Sequence, residues 1–200
     1  MYRIPVLIAS ALLVSACATT PDPSSAERDA LRAALDRNDC TRASEALRAD
    51  PAASDRLEVA HLCLQQGEFA QTRSLAAQQL EGGTDAAQAD YAAYLHALAR
   101  MGEWRRTRAL PLDRRIDDGR AVFREMAGFL ETHAGSRYAE SLAPRLANVR
   151  EDLARLELRQ ADAAGDDGRA DEARERARYV RDYFPGTAAA REAAARLASD

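Results

Sequence analysis

The sequence of 200 residues contains no lysine, so all 28 of its basic side chains are arginines. This absence excludes the lysine of a phosphate-binding loop, a Schiff-base nucleophile and a Ser-Lys catalytic pair. Histidine is scarce, and His61, His96 and His133 show no His-x-x-x-His or His-Glu-x-x-His spacing. We therefore expect neither a metal site nor a bound cofactor.

Motifs of the common catalytic sites are also missing. The sequence has no Gly-x-Ser-x-Gly and no glycine-rich phosphate loop. Acidic and basic residues are interspersed at a net charge of -4, so no basic face for nucleic acid is expected. We predict a protein that is not an enzyme and has no small-molecule substrate. The alternative is an envelope hydrolase whose Asp or Glu side chains act as acid and base.

The amino terminus has the pattern of an export signal. An apolar run over residues 4–14 follows Arg3, and small residues lead to Cys17. The run has 11 residues, which is about half the length of a membrane-spanning helix. We predict a signal peptide over residues 1–16, a flexible tether over 17–25 that contains two prolines, and a folded helical-repeat domain over 26–200.

The end of this signal, Val14-Ser15-Ala16-Cys17, resembles the lipobox of bacterial lipoproteins. The resemblance implies cleavage before Cys17 and attachment of acyl chains, such as palmitate, to that residue. Because each buried methylene contributes about 0.8 kcal/mol, several chains hold a domain on a membrane. Ala18 generally permits sorting to the outer membrane, so we expect a domain that faces the periplasm. The alternative is an ordinary secretory signal with a chance cysteine at the cut site.

Cys40 and Cys63 are the other two cysteines, 23 positions apart. An oxidising compartment favours a disulfide between them. Two buried free thiols remain the alternative. Neither interpretation makes them catalytic, because they form no Cys-x-x-Cys motif.

The sequence repeats itself at an offset of 35. Gln-Gly-Glu-Phe-x-x-Thr-Arg-Ser-Leu at residues 66–75 recurs at 101–110 as Met-Gly-Glu-Trp-x-x-Thr-Arg-Ala-Leu. This period is close to that of the tetratricopeptide repeat (TPR), a helix-turn-helix unit. A second match, at an offset of 51, pairs residues 135–146 with 186–197. Phe69 and Trp104 occupy equivalent positions and are expected to pack within hairpins.

The fold class that we predict is therefore all-α, a TPR-like α-solenoid of antiparallel helical hairpins. Glycine and proline residues, Gly67 and Gly102 among them, mark the expected turns. The longest connection is expected over residues 110–118, and Pro144 should kink or restart its helix. The ten predicted helices cover residues 25–38, 41–49, 54–66, 68–81, 85–101, 103–109, 117–133, 137–164, 169–184 and 187–199.

Residues 57–197 resemble BamD, the TPR lipoprotein family of outer-membrane β-barrel assembly. The resemblance rests on three segments in order: Asp-Tyr-Ala-Ala-Tyr-Leu at 90–95, Arg-Ala-x-Phe at 120–123 leading to Gly-Ser-Arg-Tyr-Ala at 135–139, and Ala-Arg-Tyr-Val-x-x-Tyr-Phe-Pro at 177–185. It implies an outer-membrane scaffold that binds protein subunits of the assembly machinery. The turn at residues 50–55 lacks the aromatic residues of the family, and the sequence ends at Asp200, where the family usually continues with one more helix. We therefore expect a divergent, shortened member.

Three residues are candidates for partner binding. The resemblance implies that Arg176 contacts the barrel-forming subunit through an ion pair or a bidentate contact to an acidic group. The alternative is an ordinary exposed arginine on a helix surface. Tyr91 and Tyr94 share one helix face, where they either line a peptide groove or belong to the core. Because TPR solenoids serve many assemblies, a scaffold for pilus, secretin or cell-wall machinery is the alternative function.

Overall fold

A computed structural model describes residues 23–49, 55–83 and 85–199. Within these ranges the chain forms nine α-helices and one short 3-10 helix, Thr107–Ala109, and no strand. The predicted all-α fold is confirmed. The helices are α1 (Pro23–Asp36), α2 (Cys40–Ala49), α3 (Arg56–Gln65), α4 (Phe69–Glu81), α5 (Ala86–Arg106), α6 (Leu112–Thr132), α7 (Ala139–Asp166), α8 (Ala170–Tyr183) and α9 (Ala188–Ser199).

Several predicted features lie outside the residues that the structure describes. The signal peptide over residues 1–16, Cys17 and most of the tether lie outside them, as does most of the turn at residues 50–55. Helix α1 begins at Pro23, three residues before the predicted start of the folded domain. None of the described helices combines the length and hydrophobicity that a membrane span requires.

The helices stack as a chain of hairpins. Each helix packs mainly against its neighbours in sequence, and contacts also join α3 to α5 and α7 to α9. Such contacts between alternate helices are expected of a solenoid, in which one hairpin lies on the next. A single hairpin cannot bury its apolar stripe alone, so the stack is what stabilises each element.

Two apolar cores run through the stack, and α5 contributes to both. Leu95 of α5 belongs to the first core, while Leu98, Met101 and Trp104 of the same helix belong to the second. Leu64 and Tyr94 pack against both cores. Helix α5 therefore joins the amino-terminal hairpins to the carboxy-terminal ones.

The prediction of two helices over residues 85–101 and 103–109 is wrong, because α5 runs without a break to Arg106. Gly67 does form a turn and has a φ of 76°. Gly102 instead lies inside α5, where a Cβ atom would come within 2.5 Å of the Phe69 ring. The repeated Gly-Glu-aromatic motif therefore has two roles: one copy turns the chain, and the glycine of the other accommodates the aromatic ring of the first.

The predicted connection over residues 110–118 is also too long. Helix α6 begins at Leu112, directly after Pro111. The indole Nε1 of Trp104 donates a hydrogen bond of 2.8 Å to the carbonyl oxygen of Arg115, which holds the first turns of α6 against the end of α5. Helix α7 continues past Pro144, so the predicted restart does not occur.

Cys40 and Cys63 meet between α2 and α3. Both are buried, their Cα atoms lie 4.9 Å apart, and their sulfur atoms are 2.00 Å apart. The Cα separation lies within the range of a disulfide, and the bond stays a prediction beside the alternative of two free thiols. The bond would close a loop across the first two hairpins, where α1 and α2 otherwise depend on a small core.

We expect oxidation of this pair to stabilise the amino-terminal hairpins. A bridge across a separation of 23 residues should contribute about 3 kcal/mol to the free energy of unfolding, through the restricted unfolded chain. Denaturant unfolding of the full chain with and without reductant measures this difference. The double variant Cys40→Ala/Cys63→Ala should show no response to reductant. Equal stability of the oxidised and reduced wild type would contradict the prediction.

The glycines of α6 offer a matched test of helix packing. A Cβ atom at Gly119 would lie 2.6 Å from Trp104 and 2.8 Å from Leu153, whereas one at Gly128 would meet nothing within 4 Å. Gly119→Ala should therefore destabilise the protein by about 1–3 kcal/mol through overpacking. Gly128→Ala should stabilise it by about 0.5–1 kcal/mol, because alanine favours helix. Thermal or urea unfolding of both variants checks the opposite signs, and a stabilised Gly119→Ala would refute the close packing.

Candidate partner-binding surfaces

Tyr91 and Tyr94 of α5 both stack on Tyr138, which directly precedes α7. The ring of Tyr138 stacks on Tyr91 at 5.1 Å and on Tyr94 at 4.8 Å between centroids. Phe129 of α6 lies 6.5 Å from Tyr94, and His61 of α3 lies 6.2 Å from Tyr91. These rings form an aromatic cluster that links α3, α5, α6 and the start of α7.

The aromatic cluster keeps polar groups at its rim. The hydroxyl groups of Tyr94 and Ser141 are 2.9 Å apart, and the pair is exposed. The Arg137 guanidinium lies 4.8 Å from the centre of the Tyr138 ring and donates a hydrogen bond of 2.6 Å to the hydroxyl of the same residue. A cation over a ring face is favourable, so Arg137 contributes to the position of Tyr138.

The environment of Tyr91 changes its acidity. Burial raises the pKa of its hydroxyl from 10.0 to about 12, with smaller contributions from Tyr138 and Tyr94 and an opposing one from Arg137. The Tyr91 hydroxyl therefore stays protonated to a higher pH than an exposed tyrosine does. Both tyrosines remain half-buried, and a peptide-binding role for them stays a prediction.

His96 and His133 line one pocket, and each has a carboxylate neighbour. His96 Nδ1 lies 2.5 Å from Glu125 Oε1, and His133 Nδ1 lies 2.5 Å from Asp90 Oδ1. His61 is exposed beside Tyr91. Among the described residues, no cluster of three or more His, Cys, Asp or Glu side chains could hold a metal ion.

Arg176 lies on α8 and is already engaged by neighbours. Its Nε donates a hydrogen bond of 2.8 Å to Glu172, and its Nη1 donates one of 2.6 Å to Gln160 of α7. Nη2 lies 2.8 Å from the same Glu172 oxygen. The side chain is 34% exposed, and a guanidinium has five N–H groups, so two donors are left for a partner.

A groove of about 410 Å³ adjoins Arg176 between α6, α7 and α8. At its base Glu157 is only 3% exposed and accepts a hydrogen bond of 2.5 Å from Arg120 Nη2. Burial raises the pKa of Glu157, and the Arg120 guanidinium offsets part of that rise. The groove therefore contains an ion pair between the buried Glu157 and the half-exposed Arg120, beside the half-exposed Arg176.

Glu157 and Arg120 were not singled out by the sequence. They lie 37 positions apart on different helices, so no local spacing relates them. One signal was present: Glu157 follows Leu153 by four residues and therefore lies on the buried face of α7. A charged residue on an apolar stripe indicates a partner from another helix.

Comparison with protein-family models identifies the family of the chain. Residues 29–199 match the model of the YfiO family, which is described as an outer membrane lipoprotein. The chain belongs to the YfiO family. A search of curated proteins finds no match.

YfiO membership confirms the BamD-like family relationship and supports an outer-membrane location. The match begins within α1 and ends at the last residue of α9. Both apolar cores, the aromatic cluster and the groove beside Arg176 therefore lie within the part of the chain that defines the family.

The pKa of Tyr91 provides a direct test of the aromatic cluster. In the folded protein one tyrosine should ionise near pH 12, so ultraviolet absorbance of tyrosinate should show a late step that Tyr91→Phe removes. Because the unfolded chain loses this proton near pH 10.0, the stability contributed by Tyr91 should fall as pH rises from 10.0 to about 12.

Tyr183→Phe is the control, because Tyr183 is the most exposed of the large hydrophobic side chains among the described residues. This variant should retain the late step. Loss of the step in Tyr183→Phe, or its survival in Tyr91→Phe, would contradict the assignment.

Proposed function

We propose that the protein is a lipid-anchored scaffold that binds protein subunits in the assembly of outer-membrane β-barrels. The observation that carries the proposal is the YfiO match over residues 29–199, together with the stacked hairpins of those residues. A stacked solenoid presents an extended surface on rigid helices, which suits it to holding protein partners.

The anchor in this proposal is Cys17. The lipobox resemblance at residues 14–17 supports removal of residues 1–16 and acylation of this cysteine. Residue 18 is alanine rather than aspartate, which supports an outer-membrane destination with the helical domain facing the periplasm. The tether after Cys17 then joins the acyl chains to α1.

The contact that we propose for the barrel-forming subunit is centred on Arg176. Two N–H groups of its guanidinium stay available after the bonds to Glu172 and Gln160, and they suit a carboxylate of the partner. The bonds to Glu172 and Gln160 hold the guanidinium in place, which lowers the entropy lost when a partner binds. Tyr91 and Tyr94 lie away from Arg176, on α5, and we propose them as a second contact region.

The scaffold acts by binding, and no step of covalent chemistry is part of the proposal. The groove beside Arg176 does hold carboxylates, which is the feature that an envelope hydrolase would need. However, two of its three carboxylates already serve ion pairs in the fold, because Glu157 is paired with Arg120 and Glu172 with Arg176. This arrangement favours the scaffold over the hydrolase.

Co-purification from bacterial envelopes tests the proposal. The full lipoprotein, extracted in mild detergent, should bring a barrel-assembly subunit with it. Arg176→Glu should reduce the recovered subunit about tenfold or more, because a charge-assisted contact is replaced by repulsion. Arg145→Glu is the control, since Arg145 is exposed on α7 and has no ion pair within the described residues.

Two results would contradict the proposal. Recovery of a pilus, secretin or cell-wall complex without any barrel-assembly subunit would favour the alternative scaffold function. If Arg176→Glu and Arg145→Glu reduced the recovered subunit equally, Arg176 would not be part of the interface. That result would contradict the proposed contact but not the scaffold function.

A further inference from the structure

A second pocket, on another part of the molecule, is rich in arginine. It has a volume of about 260 Å³ and lies where the end of α5, the 3-10 helix, the start of α6 and the middle of α7 meet. Its walls include five arginines and a single acidic side chain, Asp152. This excess of positive charge is local, because the whole chain has a net charge of -4.

Two of the five arginines have acidic neighbours. Arg105 lies 3.7 Å from Asp152, and Arg155 lies 3.3 Å from Glu151 on the same helix. All four of these side chains are at least partly exposed, so the pairs are screened by water and leave the guanidinium groups accessible.

The other three, Arg108, Arg115 and Arg159, form no ion pair with any acid in the described part of the chain. The Nε of Arg115 is in addition buried and finds no hydrogen-bond acceptor among the described atoms. A buried donor without an acceptor is costly, and a bound anion is one of the features that explains such a group. The pocket is therefore short of negative charge and of acceptors.

The frame of the pocket is well packed. Trp104 is 6% exposed, and its hydrogen bond to the Arg115 carbonyl ties the pocket's two sides together. Gly119 permits this approach, since the ring of Trp104 lies where its Cβ atom would be. The arginines therefore extend from backbone that is held by the second apolar core.

We propose that this pocket binds the phosphate group of a phosphate ester. A phosphate monoester presents three terminal oxygens and a charge between about -1.5 and -2, which matches the three guanidinium groups that have no acid partner in the described ranges. A carboxylate offers two oxygens and one charge, and it would leave part of this set unmatched. Trp104 and Leu156 supply an apolar wall for the organic part of the ester.

The same chemistry occurs in a soluble ester and in the headgroup of an anionic lipid, and the experiment separates these sources. The site does not involve Arg176 or the aromatic cluster, so it is independent of the proposed scaffold function. Its small volume suits one phosphate group rather than a long segment of polymer.

Trp104 is the only tryptophan of the chain, so its fluorescence reports on this pocket alone. The full chain in non-ionic detergent should show a saturable change on addition of glycerol 3-phosphate and none with glycerol. The full chain in nanodiscs of phosphatidylcholine should show the change when phosphatidic acid is included. A response to both indicates a site open to soluble esters, and a response only to phosphatidic acid assigns the site to lipid headgroups.

The double variant Arg108→Gln/Arg159→Gln should weaken binding about tenfold or more, because two charge-assisted contacts are lost. Arg145→Gln is the matched control for charge on α7 and should bind as the wild type does. The proposal would be overturned if neither glycerol 3-phosphate nor phosphatidic acid changed the fluorescence. An equal loss in the control would also overturn it, as would tighter binding of an oligoglutamate peptide than of glycerol 3-phosphate.

Discussion

Each helical hairpin buries its apolar stripe only by packing on the next hairpin. Helices contact both their neighbours in sequence and alternate helices, so each hairpin stabilises the hairpin that it packs against. Helix α5 is the critical member, because its residues enter both apolar cores. If the chain turned at Gly102, as its sequence indicates, a turn rather than a continuous helix would connect the two cores.

Glycine shows why the fold class was predictable and some boundaries were not. Gly67 turns the chain with a positive φ, whereas Gly102 and Gly119 remove a Cβ atom where an aromatic ring approaches a helix. The sequence shows a glycine in both cases. Only the position of an aromatic ring from a distant part of the chain distinguishes the two roles. The periodic apolar residues and the remaining turn residues were sufficient for the all-α fold and for most other helices.

The candidate sites were predictable only where one segment carries the signal. Tyr91 and Tyr94 were identified from their spacing on α5, but their partner Tyr138 comes from a helix more than forty positions later. The same holds for Glu157 and Arg120, and for the arginine pocket, whose walls come from four elements. Long-range pairs of this kind arise from the stacking itself and have no local pattern.

Charge is distributed unevenly over the stack. The groove beside Arg176 pairs most of its acids and bases within the protein, while three arginines of the other pocket have no acid partner among the described residues. The two surfaces have no lining residue in common, so they are separate candidate sites.

Metabolic labelling determines whether acyl chains on Cys17 hold this solenoid on a membrane. Cells that produce the full chain are supplied with radiolabelled palmitate, and their envelopes are fractionated. We expect a labelled product in the outer membrane, and an unlabelled product when Cys17 is replaced by alanine. An exported wild-type chain that carries no label, or label that persists without Cys17, would contradict this expectation.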